Sequence, residues 1–542
     1  MSRRAGILYI FTIFLMLTAS GLFAQETGYF RGRLTDRETG EPVVFATVRI
    51  AGLNKGVISN ADGDFRIPYR LLPANAVLEI SSMGYESLRL DVYRYTEGHI
   101  LPIRMRSRVF ALTEAVVSAD RKRLSARAIV RRAIRAIPRN YPQEPYSLIG
   151  YYRDYQRDSV GYLNLNEAIL EVFDLGFGQT DSATTRELVY ALEENRDFRR
   201  DTLALQAYDY ITRRKVIRRA YLAGYGGNEF RILRVHDPIR NYRINSFDFV
   251  NVLEDDFLSH HSFHLEDPVY LGDKLLYRIN FVRRDPGYLA SGNIYISRGN
   301  FAIHKLEYTI HTNLRDPEGG ARSWKPQDFR DLVFNLSLEY REQEGQMFLN
   351  YISFRNTFEV ALPPEFKLVE TVVDLDCRCI VVTFNVPPDL ASIQRPRAFN
   401  FRYKGKPLKF KEIIRKKESV YLIPALQELA LDELLRTMRA ADILDNPKIG
   451  EPRDLMEFEL GKLVDFRGNL LGYQERRPYV QFREFFTQQL HVGRRSPANA
   501  AFANPDRPLF MSAVQASNRP VSDYWLNTPL QTMAIPKTQV PK

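Results

Sequence analysis

Four short stretches of this sequence hold the residue types that do chemistry. "LSHHSFHLED" brings His260, His261, His264 and Glu266 close together, and imidazoles beside a carboxylate are the donors of a zinc or similar metal site. A helix would put His260 and His264 on one face, whereas a strand would align His260, His264 and Glu266. Either arrangement needs help from elsewhere in the chain. We read the stretch as a histidine-rich loop or the beginning of a strand, with His260, His264 and Glu266 as the metal candidates. "HKLE", His304 to Glu307, has the spacing of half a metallocarboxypeptidase zinc site. It sits in the alternating run "FAIHKLEYTIH", where positions i and i+3 face opposite ways, so the two side chains are not expected to share a metal. Asn60, Asp62 and Asp64 mimic the start of a calcium loop. The distal oxygen ligands of such a loop do not follow, and a plain hairpin turn is expected. Cys377 and Cys379, the two cysteines of the chain, lie in "DLDCRCIVVTF". On a strand they would share a face with poor disulfide geometry, so a local pair of buried or half-buried thiols is expected. With no G-x-S-x-G elbow, P-loop or H-E-x-x-H motif in the sequence, no catalytic residue and no cofactor is assigned.

Composition bounds the answer further. The chain has 542 residues, of which 45% are hydrophobic and 12% aromatic, enough for large buried cores and against wholesale disorder. Its formal net charge of +11 would ordinarily suggest nucleic acid. The N-terminus argues otherwise. Arg3 and Arg4 precede an apolar stretch from Ala5 to Leu17 and small residues near Ala24, the layout of a secretory signal peptide over residues 1–24. That stretch is shorter than the roughly 20 residues of a spanning helix, so no transmembrane helix is expected after cleavage. The expected location is periplasmic or outer-membrane-associated, and two cysteines make no disulfide scaffold there.

These residues must be positioned by mainly β structure. From about residue 27 to 106, short strands recur between turns, the pattern of a β-sandwich. "VVFATVRI" alternates Val44, Ala46, Val48 and Ile50 against Phe45, Thr47 and Arg49. "SLRLDV" and "HILPIRM" alternate in the same way. The stretch "GRLTDRETGEPVVFATVRIAGLNKGVISNADGDFRI", followed by "LEISSMGYESLRL", resembles the carboxypeptidase-regulatory-like β-sandwich found at the N-terminus of exported Bacteroidetes proteins. The resemblance implies an immunoglobulin- or prealbumin-like fold over residues 25–106 and no peptidase activity of its own. "FALTEAVVSADR", in a linker over 107–122, is similar to the segment that leads from this domain into TonB-dependent transporters.

Residues 123–395 are expected to form a basic helix and a larger curved antiparallel body. The helix, expected to run to about Ile137, carries Arg123, Arg127, Arg131, Arg132 and Arg135 opposite Ala126, Ile129, Val130, Ala133, Ile134 and Ile137, and is expected to pack its apolar side on the following sheet. "YSLIGYYRDYQRDSVGYLNLNEAILEVFDLGF" reads as a strand hairpin, residues 185–225 as helix and loop, and residues 228–385 as long strands. In "DLVFNLSLEY", Leu332, Phe334, Leu336, Leu338 and Tyr340 share one face and Asn335, Ser337 and Glu339 the other, which implies a sheet with one wet face. Residues 396–542 form a basic and helical C-terminal region, with Pro424 in a first helical turn and "YVQFREFFTQQL" as a further helix. Its extended tail is expected to dock through Phe510, Tyr524, Trp525 and Leu526. The body resembles uncharacterised envelope proteins bearing the same N-terminal domain. The function expected is non-enzymatic binding of an envelope component, whether outer-membrane protein, lipid or glycan. The alternatives are a metal-dependent hydrolase of peptide or glycan, and an accessory of a TonB-dependent transport system.

Overall fold

The structure, a computed structural model, describes residues 28–53, 55–95, 99–108, 124–217, 228–244, 251–285, 287–313, 329–403, 405–440, 456–512 and 521–528. The expected export segment, Arg123 and the 107–122 linker beyond Arg108 lie outside the described residues. Contacts divide the chain into two units, Met1–Glu359 with Pro478–Lys542, and Val360–Arg477. The change of character at residue 396 falls inside the smaller unit.

The N-terminal strands form two sheets. They are β1 (Tyr29–Asp36), β2 (Thr47–Ile50), β3 (Gly56–Ile58), β4 (Asp64–Pro68), β5 (Val77–Ser81), β6 (Leu88–Asp91) and β7 (Ile100–Met105). One sheet runs β4-β1-β7 and the other β3-β2-β5-β6. Leu34, Val48, Ile50, Phe65, Leu78, Ile80, Ile103 and Met105 close the core between them. Asn60 is the turn device expected, its Oδ1 accepting from the backbone N–H of Asp62 at 2.9 Å and of Asp64 at 2.8 Å. The turn does not make a hairpin within one sheet, because β3 and β4 belong to different sheets. It is a corner. Gly63 occupies it at φ +77°, where a Cβ would meet the Leu34 carbonyl oxygen at 2.2 Å. The alternation of "VVFATVRI" holds only from Ala46 onward, since Phe45 adopts φ +60° and Val44 is exposed.

The body is an 11-stranded sheet. Its strands are β8 (Tyr146–Arg157), β9 (Tyr162–Asp174), β10 (Arg186–Glu194), β11 (Lys215–Val216), β12 (Ser262–Leu271), β13 (Lys274–Asp285), β14 (Tyr288–Ser297), β15 (Ile303–Asn313), β16 (Phe329–Gln343) and β17 (Gln346–Ala361). The smaller unit follows with β18 (Leu368–Asp374), β19 (Cys379–Phe384), β20 (Phe399–Tyr403), β21 (Lys406–Leu408), β22 (Phe410–Lys416), β23 (Ser419–Pro424) and β24 (Met456–Leu460). The chain then returns through β25 (Arg476–Val492), and the large sheet runs β10-β9-β8-β25-β17-β16-β15-β14-β13-β12, with β11 beside β17. Helix α1 (Ala126–Arg135), capped by Ser125, buries Ala126, Ile129, Val130, Ala133 and Ile134 and packs on β12 and β14. Further short helices are α2 (Ile137–Asn140), α3 (Glu229–Val235) and α4 (Asp255–His260).

Several expectations are corrected. "YVQFREFFTQQL" is strand β25, not a helix; Tyr479, Phe482, Phe485 and Phe486 mimic helical spacing because the strand is buried on both faces along most of its length. Residues 186–194 are strand, with Leu188, Val189 and Tyr190 buried, whereas 229–235, expected in the strand region, are helical. Pro424 ends β23 instead of starting a helix; helix α5 (Glu428–Ala440) begins after it. Cys377 and Cys379 form a disulfide, not free thiols. β18 ends at Asp374 and β19 begins at Cys379, so Cys377 lies in the turn. Arg378 between them adopts φ +53° and the Cα atoms are 5.3 Å apart, a separation a disulfide spans.

Within the smaller unit, β18-β19-β23-β22 and β21-β20-β24 form separate sheets, and Phe366, Ile380, Val382, Leu422 and Leu434 are buried in one cluster. Among the described residues no helix is long and apolar enough to cross a membrane.

Candidate functional site

The cross-strand register turns the alternation of β16 into a surface. Three rows cross all six strands from β12 to β17. The first is His264, Asn280, Asn293, Glu307, Ser337 and Ser353. Beside it run Glu266, Arg278, Tyr295, Lys305, Glu339 and Tyr351, then Ser262, Val282, Ser291, Thr309, Asn335 and Arg355. Val282 alone in these rows lacks a polar side-chain atom. At the usual strand spacing the rows are about 24 Å long. The intervening rows, such as Leu265, Ile279, Ile294, Leu306, Leu338 and Ile352, face the other way. All of these but Leu265, 50% exposed at the edge strand, are buried.

The wet face is preorganised by bonds within it. Lys305 Nζ meets Glu307 Oε1 at 2.7 Å, and the Tyr295 hydroxyl donates to Glu307 Oε2 at 3.2 Å. Burial opposes the charge on Lys305, but Tyr351, Glu307 and Tyr295 outweigh it and raise its pKa. Burial likewise opposes ionisation of Glu307, yet the Lys305 ammonium lowers its pKa below the usual carboxylate range. Both groups are therefore charged at neutral pH and neutralise each other locally. Asn280 Nδ2 donates to Asn293 Oδ1 at 3.3 Å, and Asn335 Nδ2 to Thr309 Oγ1 at 2.8 Å. Each amide retains hydrogen-bonding capacity for a ligand.

The sandwich supplies a wall. Val44 and Phe45 stand over this face and, with Asn280, Asn293, Lys305, Glu307, Asn335 and Ser337 among others, enclose a cleft of about 450 Å³. A bulky residue at positive φ is held against its own preference. Ser59 holds it: its Oγ donates to the Val43 carbonyl at 2.7 Å and accepts from the Ala46 N–H at 2.9 Å, on either side of Phe45. The Phe45 ring lies 5.0 Å from that of Tyr351, and Asn350 Nδ2 reaches Thr47 Oγ1 at 2.8 Å.

The structure sets His260 apart from His264 and Glu266. His260 ends α4 and contacts Asp256 at 3.0 Å. His264 and Glu266 lie on the wet face of β12, Glu266 paired with Arg278 at 2.9 Å. His261 is buried against Phe257 and Phe281, its Nε2 2.8 Å from the Tyr308 hydroxyl, and burial pushes its pKa down to about 4. His304 is buried, with its pKa down to about 4 by burial, while Glu307 faces the cleft as strand geometry predicts. Among the described residues no three His, Cys, Asp or Glu side chains are placed to hold a metal ion.

Sequence reading passed over a second polar cavity, of about 290 Å³, lined by Asp154, Asn166, Glu229, Gln481 and Phe510 among others. Asp154 accepts from Asn166 Nδ2 at 2.8 Å and from the Tyr152 hydroxyl at 3.1 Å. Burial, then the nearby Glu229 charge, push its pKa up to about 7. A carboxyl whose folded pKa lies above its unfolded value contributes stability while protonated, and that stability is lost as pH rises from about 4 to about 7. Asp154→Asn should therefore gain about 2–3 kcal/mol relative to the parent between pH 5 and pH 8 in urea unfolding. A pH-independent difference would refute the protonated carboxyl.

Comparison with known proteins bears mainly on the sandwich. The family model of the CarboxypepD_reg-like domain matches residues 30–117. No curated protein matches the chain. Among solved structures, a domain described as an outer membrane lipoprotein-sorting protein, from Vibrio parahaemolyticus, is 9% identical, with 42% of this chain and 84% of that one covered at a TM-score of 0.20. A LolA superfamily protein from Nitrosomonas europaea is 11% identical, with 43% and 86% covered at a TM-score of 0.17. Likenesses at these scores carry no inference. The chain bears a CarboxypepD_reg-like domain at residues 30–117, followed by a large antiparallel sheet.

Proposed function

We propose that this protein is a binding protein of the cell envelope and that the cleft beneath Phe45 holds a glycan. The observation that carries this reading is the three polar rows. Amide and hydroxyl side chains at regular strand spacing, with a neutralised ion pair among them, match a ligand that presents many hydroxyls and little charge. The half-buried ring of Phe45, which lines the cleft, offers an apolar face for sugar C–H groups. An extended polar surface fits a polymer better than a small metabolite, which would require enclosure.

The test is co-sedimentation with purified peptidoglycan sacculi together with a glycan array. The parent protein should be retained by at least one glycan. Asn293→Leu combined with Asn335→Leu should weaken that binding about tenfold or more, the loss of one to two hydrogen-bond equivalents. Phe45→Gly should fold at least as well as Phe45→Ala, because glycine relieves the positive φ, yet both should bind poorly. Absence of retention by any glycan, or full binding by the double variant, would sink the reading. Subcellular fractionation of the producing cells tests the location independently; recovery in the cytoplasm would remove the envelope assignment.

A further inference from the structure

A pocket of about 280 Å³ lies where α1 and α2 meet the start of α4, and it shares no lining residue with the cleft under Phe45. Arg131 and Arg135 of α1 line it together with Arg243, Glu254 and Asp255, over Ile134 and Leu258. Three cationic and two anionic side chains thus share one small space. Among the described residues none of these five forms an ion pair, although elsewhere buried arginines such as Arg153, Arg234 and Arg240 are paired at 4.0 Å or less. Opposite charges that line one pocket without closing on each other are set to receive a ligand carrying both signs. The apolar floor gives such a ligand a place for methylene groups.

We propose that this pocket binds the phosphoethanolamine headgroup of a membrane lipid, the phosphate between Arg131, Arg135 and Arg243 and the ammonium against Glu254 and Asp255. Guanidinium groups bind phosphate oxygens through paired N–H donors, and a primary ammonium offers three donors to the carboxylates. The lipid source is favoured over a soluble one by Arg127 and Arg132, exposed on the same helix, which add attraction to an anionic surface. This site is independent of the glycan cleft.

The experiment is flotation of the whole protein with vesicles of phosphatidylcholine, alone or with phosphatidylethanolamine or phosphatidylglycerol, beside titration with soluble glycerophosphoethanolamine. The parent should prefer phosphatidylethanolamine over phosphatidylcholine vesicles about tenfold, and bind the soluble headgroup more weakly than the vesicles. Arg131→Gln with Arg135→Gln should lose binding to both headgroup lipids. Glu254→Gln with Asp255→Asn should weaken phosphatidylethanolamine binding while strengthening phosphatidylglycerol binding. That opposite response separates a pocket that reads both charges from a basic surface. If the acid-to-amide variant tightens on every vesicle, or the parent ignores phosphatidylethanolamine, the proposal is overturned. The acidic positions are exposed and the arginines lie on the outer side of α1, so unchanged melting of the variants should accompany these readouts.

Discussion

Asp174→Ala should destabilise the larger unit by about 3–5 kcal/mol at neutral pH, the cost of leaving buried charges without their partner. Asp174 ends β9 with 1% of its side chain exposed and holds two arginines that are themselves buried. Arg240 binds it twice, Nε to Oδ2 at 2.8 Å and Nη2 to Oδ1 at 3.0 Å. Arg234 Nη2 and the Tyr146 hydroxyl donate to Oδ2, and the Gly176 N–H donates to Oδ1 at 2.7 Å. Removing the carboxylate leaves Asp181, 3.1 Å from Arg234, as the remaining counter-charge. Burial alone would raise the Asp174 pKa, but Arg240 and Arg234 prevail and bring it down to about 2. A carboxylate depressed in this way contributes stability above its unfolded pKa, and that contribution is lost as pH falls from about 4 through about 2. The gap between variant and parent should therefore narrow by about 2 kcal/mol in urea unfolding at pH 2 compared with pH 7. A neutral-pH difference under 1 kcal/mol, or a gap that does not depend on acid, would contradict the central role of this carboxylate.

The same buried charges explain what could be read from the sequence. β16 announces its wet face because Asn335, Ser337 and Glu339 alternate with Phe334, Leu336, Leu338 and Tyr340, the signature of a strand with one solvated side. Its neighbours β12 to β15 follow by register, so the polar rows were present in the sequence as separate alternations. What no single strand reveals is that Asn293, Glu307 and Ser337 stand side by side. β8, β9 and β25 obey a different rule, with nearly every residue of β8 and β9 buried. Arg153 sits across from Glu167 on one strand and Glu484 on the other, and its Nε pairs with Glu484. Charged residues that satisfy one another across strands look like surface in a linear pattern, and β25, buried on both faces along most of its length, shows no strand alternation to set it apart from a helix. The disulfide was missed for a related reason. Its geometry depends on a turn at Arg378 that alternation cannot show. Ser59 and Phe45 carry a signal in retrospect only, since positive φ at phenylalanine contradicts residue preference and is settled by contacts distant in sequence.

Trp525→Ala should unfold or severely loosen the N-terminal sandwich, although the residue lies more than 400 positions away in the chain. Its ring belongs to the sandwich core with Phe65 and Ile103, 3% exposed, and its Nε1 donates to the Arg66 carbonyl at 2.7 Å. The flanking residues extend the attachment. Asn527 accepts from the Arg66 N–H at 3.0 Å and donates to the Ile58 carbonyl at 3.0 Å, while Gln488 of β25 donates to the Trp525 carbonyl at 2.8 Å. Thr528 reaches Glu167 on β9 at 2.9 Å. This segment thus completes one core and ties it to the large sheet. Truncating a buried tryptophan costs about 3–5 kcal/mol, a large share of what a domain of about 80 residues has available. Limited proteolysis should cut the variant within residues 28–108 under conditions that leave the parent intact, and Trp525→Phe should restore most of the protection. In a Trp324→Phe background that keeps Trp525, it is the sole tryptophan, so its emission should report unfolding of the sandwich core as a red shift during denaturation. Because the sandwich carries Val44 and Phe45 over the wet face, glycan retention should fall in Trp525→Ala even though no residue of the sheet has changed. An unaltered protease pattern together with full retention would show that the sandwich and its place above the sheet do not depend on this tail.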